Sequence, residues 1–161
     1  MPRIDQIDRQ TDTLLLVFSL SPTIHGVTRI QTLLFLLNNE TKYAELYDDS
    51  VLFEFSPAKM GPFASAIYDE LDFLRALGAI EVTPSPVRRD SDRPSSSRDV
   101  ILTDKGEKIA SQRRALLSEE VATDLEQFGQ RYCPMDLSLL LAYVSAEYPT
   151  MAARSDSNHR W

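Results

Sequence analysis

Residues 60–82 read "MGPFASAIYDELDFLRALGAIEV". Phe63, Ile67, Leu71 and Leu74 recur at helical spacing and form one apolar stripe. Gly61-Pro62 stands in front of it, and a proline at the first helical position forfeits no bond, because an N–H there has no helix partner. Gly78 follows Leu77, where a left-handed glycine closes a helix. Ile80 and Val82 then alternate about Glu81, the pattern of a half-buried strand. The stretch therefore predicts a helix that runs into a strand. The polar side of that helix carries Asp69, Glu70 and Asp72.

A matching strand lies at "RDVILT" (98–103), where Val100 and Leu102 flank Ile101. Residues 84–98 between the two strands are rich in Pro, Ser and Arg and read as a long hairpin tip. Upstream, a helix is expected over 5–20, with Ile7, Leu14, Leu15 and Phe18 near one face. "SPTIHG" (21–26) breaks it, and a largely buried helix follows over 27–39 through Val27, Ile30, Leu34 and Leu37. Residues 40–59 show no firm pattern; "VLFEF" (51–55) is a strand or extended segment closed by Ser56-Pro57. Downstream, Thr103 or Asp104 caps a fourth helix, whose stripe of Ile109, Leu117, Val121, Leu125 and Phe128 continues to about Gly129. Cys133-Pro134 opens a fifth helix with Leu137, Leu140, Leu141 and Val144, which Tyr148-Pro149 stops. The expected fold is mainly α with a small β-hairpin: a winged-helix-like core plus two C-terminal helices. Residues 1–131 form the core domain, 132–150 a helix packed on it or used in dimerisation, and 151–161 a flexible tail. Leu33, Leu34, Phe63, Ile67, Leu71, Leu74 and Ile80 are expected to be buried together.

The 161 residues, 43% hydrophobic and 25% charged, suit one domain with an appendage. Cys133 is the single cysteine, and with His25 and His159 it gives no zinc-ligand spacing. The five glycines are scattered singly, so no phosphate-cradling loop is present. The serines at 95–97 have no histidine or acid arranged with them as a nucleophile and base. No metal, no cofactor and no catalysis are therefore expected. The polar start "MPRIDQIDRQ" has no apolar signal region, and no apolar run approaches the roughly 20 residues of a membrane span; a cytoplasmic protein is expected. The net charge is −7, which gives no global attraction to nucleic acid. Residues 1–80 carry eleven acidic and six basic side chains, so the acid concentrates where a DNA-reading helix would lie.

"RIQTLLFLL" (29–37), "FSPAKMGPFASAIYDELDFLRALGAIEV" (55–82), "LTDKGEKIA" (102–110) and "LLAYVSAEYP" (140–149) occur in an order that resembles the Panacea-type family of antitoxin and phage-associated proteins. Gly61-Pro62 ahead of a helix containing Tyr68, and the closing Tyr148-Pro149, are the most specific parts of the resemblance. Here Lys59-Met60 stands where that pattern carries an aromatic, and the insertion between the strands is long and arginine-rich. The resemblance implies a winged-helix-like fold and a non-catalytic regulatory role beside a toxin or effector.

Two surfaces follow from the residues. Asp69, Glu70 and Asp72 are either a solvated helix face or a surface for a basic protein partner. Arg88, Arg89, Arg93 and Arg98 of the tip, with Lys105 and Lys108 and then Arg113 and Arg114 of the fourth helix, are the cations that could hold phosphates. The first surface favours a protein-binding regulator, and the second a winged-helix DNA-binding transcriptional regulator.

Overall fold

The "TLLLVF" run of residues 13–18 decides where the core sits. A helix that is apolar on every side must be enclosed, and every residue from Thr11 to Phe18 is buried. This helix, α1 (Gln10–Leu20), contacts α2 (Val27–Glu40), α4 (Ala66–Leu77), α5 (Asp104–Ala115) and α6 (Glu119–Tyr132). The computed structural model describes residues 9–47, 49–58, 61–84 and 98–151. The remaining described elements are β1 (Thr23–His25), the short helix α3 (Lys42–Leu46), β2 (Ser56–Ala58), β3 (Gly61–Phe63), β4 (Ile80–Pro84), β5 (Arg98–Leu102) and α7 (Leu137–Glu147). Turns of 3-10 helix lie at Asp49–Val51 and Pro149–Met151. The chain is mainly helical with a small antiparallel sheet.

The two strands expected around residues 80 and 100 pair in the register Ile80↔Leu102 and Val82↔Val100. A third strand joins them, because "TIH" within the expected break pairs with β5 as Ile24↔Val100, giving the order β1-β5-β4. Alternation sends Ile24, Ile80 and Val100 into the core, while Glu81 and Thr83 lie on the other face with Ile101 and Asp99 beside them. The tip between the strands falls outside the described residues, apart from Pro84 and Arg98 at its roots. Residues 5–8 of the expected first helix and the tail after Met151 also fall outside them.

Gly61-Pro62 does not begin the helix. Both residues belong to β3, which pairs with β2 so that Pro57 faces Pro62. Neither proline has an N–H to give the ladder, which suits a minimal hairpin at a sheet edge. Phe63 therefore stands outside the helical stripe and is half-buried, whereas Leu33, Leu34, Ile67, Leu71, Leu74 and Ile80 are buried as expected. The helix starts at Ala66 because Gln31, buried in α2, grips the preceding backbone. Its Nε2 donates to the Ala64 carbonyl at 3.2 Å, and its Oε1 accepts from the Ala64 N–H at 2.8 Å.

The other end of α4 follows the sequence. Gly78 has φ +85°, the left-handed value that glycine adopts at least cost. The N–H groups of Gly78 and Ala79 reach the Arg75 and Leu74 carbonyls. Thr103 caps α5 by accepting from the Gly106 N–H at 3.1 Å. Gly106 is required by contact: a Cβ there would lie 2.0 Å from the Ala79 carbonyl oxygen. The expected long fourth helix is two helices, since Ser118 accepts from the Val121 N–H and starts α6 afresh. α7 likewise begins at Leu137, with Asp136 as its cap, rather than at Cys133-Pro134. Among the described residues, three α-helices rather than two thus follow the sheet.

Candidate functional site

The buried side of α4 presents Ile67, Leu71 and Leu74 to the core, and Tyr68 is buried beside them. Helical geometry then places Asp69, Asp72, Phe73 and Ala76 on the opposite side, with Leu77 at its margin. All five are exposed. Phe73 retains 43% of its surface and Leu77 38%. Two large apolar side chains one turn apart on an exposed face are unusual company for carboxylates. Leu46 and Leu139, the other exposed large apolar residues described, lie on different elements, and scattered ones need no explanation. The Arg9 guanidinium lies 5.5 Å from the Phe73 ring centroid, a cation–π contact.

The three carboxylates expected to act together do not. Asp69 and Asp72 are exposed, and among the described residues no hydrogen bond or ion pair reaches either of them. Glu70 turns inward to α1, where its Oε1 accepts a hydrogen bond from the Thr11 hydroxyl at 2.5 Å. It therefore helps to dock α4 on α1 and belongs to the fold.

The expected basic cluster also divides. Arg88, Arg89 and Arg93 lie outside the described residues. Arg98, Lys105 and Lys108 are exposed. Arg113 is not an exposed cation: its side chain keeps 15% of its surface, and Nε donates to Asp12 Oδ1 at 2.7 Å. Arg114 pairs with Glu126 at 3.2 Å. The long helix implied by the sequence hides this division, because Arg113 faces α1 just where the chain turns from α5 into α6.

Two polar clusters escape sequence reasoning altogether. Glu40, at the end of α2, accepts hydrogen bonds from the hydroxyls of Tyr143 at 2.7 Å, Tyr148 at 2.6 Å and Tyr132. Arg131 stacks over the rings of Tyr132 and Tyr143. Burial pushes the Glu40 carboxyl up, but the three hydroxyls and the nearby Arg131 charge outweigh it and hold the group below its ordinary range. Burial and the Glu40 carboxylate push Tyr132 and Tyr148 up. The cluster joins α2 to α6, α7 and the turn beyond. On the outer face of the sheet, His25 Nδ1 lies 2.9 Å from Asp99 Oδ1. Neither cluster places a nucleophile beside a base. Among the described residues, no three His, Cys, Asp or Glu side chains converge as metal ligands. No helix there is long and apolar enough to cross a membrane.

Comparison of the chain with family models, with curated proteins and with solved structures finds no match. The outer face of α4 is thus the candidate that the molecule's own chemistry offers: an exposed aromatic and a leucine beside two uncompensated carboxylates.

Proposed function

We propose that the protein is a non-catalytic regulatory module that acts by binding another protein through the outer face of α4. The observation that carries this reading is the exposure of Phe73 and Leu77 next to Asp69 and Asp72. Aromatic anchors with a charged rim are what protein interfaces use. The two carboxylates give the partner its chemistry, a basic surface around an apolar pocket. The Panacea-like order of segments supports the same reading and suggests a toxin or effector as the partner. A winged-helix-like core is supported by the succession α1-β1-α2-α4-β4-β5 and the sheet order β1-β5-β4. In that arrangement α4 occupies the place of the recognition helix, with α3 and the β2–β3 hairpin inserted before it.

That place gives the alternative reading, a DNA-binding transcriptional regulator that contacts phosphates through its arginine-rich tip. Arg98, Lys105 and Lys108 are exposed and available for it. Against it, a groove-bound α4 would bring Asp69 and Asp72 to phosphates, a like-charge approach that salt screens only in part.

A titration separates the two. Duplex DNA is followed by fluorescence anisotropy from about 50 to 200 mM salt, the range over which phosphate contacts lose most of their affinity. Weak binding that vanishes at the upper end is expected. In parallel, a partner captured on the wild-type chain is purified and its Kd measured. That affinity is expected to fall in Asp69→Asn/Asp72→Asn/Phe73→Ala and to survive in Lys105→Ala/Lys108→Ala. Tight, sequence-selective DNA binding that persists at physiological salt and is lost in the α4 variant would make this a DNA-reading protein.

A further inference from the structure

The edge of the sheet beside α4 has a pairing pattern that specifies the shape of the partner. Thr103 donates to the Ala79 carbonyl at 3.0 Å, which makes Ala79 and Thr103 a hydrogen-bonded pair in line with the ladder. Antiparallel ladders alternate bonded and non-bonded pairs, so Glu81–Ile101 and Thr83–Asp99 are the bonded pairs between β4 and β5. The opposite parity on β5 agrees, because Leu102 donates to Pro22 at 2.8 Å on the β1 side. Ile80 and Val82 therefore turn their N–H and C=O groups away from the sheet. Among the described residues none of these groups has a partner. Beside them runs a shallow groove of about 400 Å³, bounded by Arg75 and Gly78 at the end of α4 and by Glu81, Val82 and Thr83 of the strand.

A second copy of this chain fits the edge poorly. With Ile80 opposite the second copy's Val82, the two Glu81 side chains come face to face, and like charges directly opposite destabilise a strand pair. Shifting the register so that the two Val82 residues meet sets Ile80 against Pro84, which has no N–H to give. A lysine or arginine opposite Glu81 turns the same position into an attraction. From these two features we infer that the edge of β4 accepts an extended segment of a different protein as an antiparallel fourth strand, with a basic residue opposite Glu81 and apolar residues opposite Ile80 and Val82. This rests on the reading of α4 as a docking face and gives the partner seated there its conformation: a strand added to β4.

The probe is a capped synthetic peptide of alternating valine and lysine, about seven residues long as strands commonly are. Its binding is followed by amide hydrogen exchange in the full chain. Exchange at Ile80 and Val82 is expected to be fast in the free protein and to slow about tenfold or more on saturation. Residues opposite Ile80 and Val82 are the ones that bond to them, so N-methylation of the valine amides should abolish binding. N-methylation of the lysine amides, at identical charge, should leave it intact. Val82→Pro, which removes an outward N–H, and Glu81→Lys should each weaken binding at least several-fold. Slow exchange at Ile80 and Val82 in the free chain, no saturable binding at millimolar peptide, or equal tolerance of both methylation patterns overturns the inference. The two readings fail separately. A partner that binds and depends on Phe73 but leaves Ile80 and Val82 exchange unchanged removes strand addition alone. A partner lost in Val82→Pro but indifferent to the α4 variant removes docking on α4 alone.

Discussion

Asp12 and Asp69 are the same residue type in the first turn of two helices that touch, and the fold treats them oppositely. Asp12 is 4% exposed; it accepts the Arg9 N–H at 3.1 Å and the Arg113 guanidinium at 2.7 Å. Asp69 stands in water with Phe73 one turn away. The difference lies in what the rest of the chain brings across: α5 lays Arg113 over α1, whereas the described elements leave the outer side of α4 uncovered. A carboxylate stripped of water needs its partners to keep the fold. One left in water beside an exposed aromatic contributes little to stability and is free for recognition.

The largest effect should come from the buried member. Asp12→Ala removes the carboxylate that the largely enclosed Arg113 bonds, and with it the acceptor at the start of α1. A loss of about 3 kcal/mol is expected, the scale on which breaking a buried pair destabilises. Replacing both partners with apolar groups commonly restores stability, so Asp12→Ala/Arg113→Met should recover much of the loss. Urea midpoints of the two single variants and the double variant at neutral pH check this. Strictly additive losses would mean that the pair is not coupled and would weaken the contrast with Asp69.

Glu40 tests the intermediate case, a carboxylate half-buried among phenols. Glu40→Gln keeps the shape and removes the charge that three hydroxyls address; a loss of about 2 kcal/mol is expected for charge-assisted hydrogen bonds. The pH dependence has a definite sign. The folded-state pKa of Glu40 is lowered. Its contribution is therefore fully present above the unfolded value of about 4.3 and is lost as pH falls through the folded value. Tyr132 and Tyr148 are shifted upward, so their contribution holds below about pH 10 and fades as pH rises through their folded values. Urea midpoints should fall less on acidification in Glu40→Gln than in the wild-type chain. An equal fall in both would show that the cluster does not depend on the carboxylate charge.

What the sequence conveyed follows from how local each signal is. Strands β4 and β5 were legible because Ile80/Val82 and Val100/Leu102 alternate within a few residues, and the cap at Gly78 because one residue type carries it. Strand β1 was hidden, since three residues between Pro22 and Gly26 gain strand character only from β5, far along the chain. Strand β3 reads as a helix start in the sequence, because Gly61-Pro62 serves either purpose and the deciding contact, Gln31 on Ala64, spans the core. The α5–α6 break fell inside an apolar stripe that is continuous in sequence. Of the site, the carboxylates of α4 were visible by type. That Glu70 is used by Thr11, that Phe73 is exposed, and that Arg113 is bonded by Asp12 each depend on distant parts of the chain. The Glu40 cluster draws on positions 40, 132, 143 and 148, which no spacing rule connects.

The smallest effect on stability should come with the largest effect on function. Asp69→Asn/Asp72→Asn changes two exposed side chains that no described residue engages. Its unfolding free energy should stay within about 0.5 kcal/mol of wild type, as for surface substitutions away from structural features. Its interactions should change in opposite directions for the two classes of ligand. Toward a basic protein surface, two lost charges reduce the association rate and its salt dependence, because rim charges act mainly on encounter. Toward DNA, the same change removes a repulsion and should tighten whatever weak binding exists at low salt. Stopped-flow association at two ionic strengths with the captured partner, beside an anisotropy titration with duplex DNA, reads both. If association with the protein partner is unchanged while stability drops by as much as in Asp12→Ala, Asp69 and Asp72 are structural, and the contrast between the two aspartates does not hold.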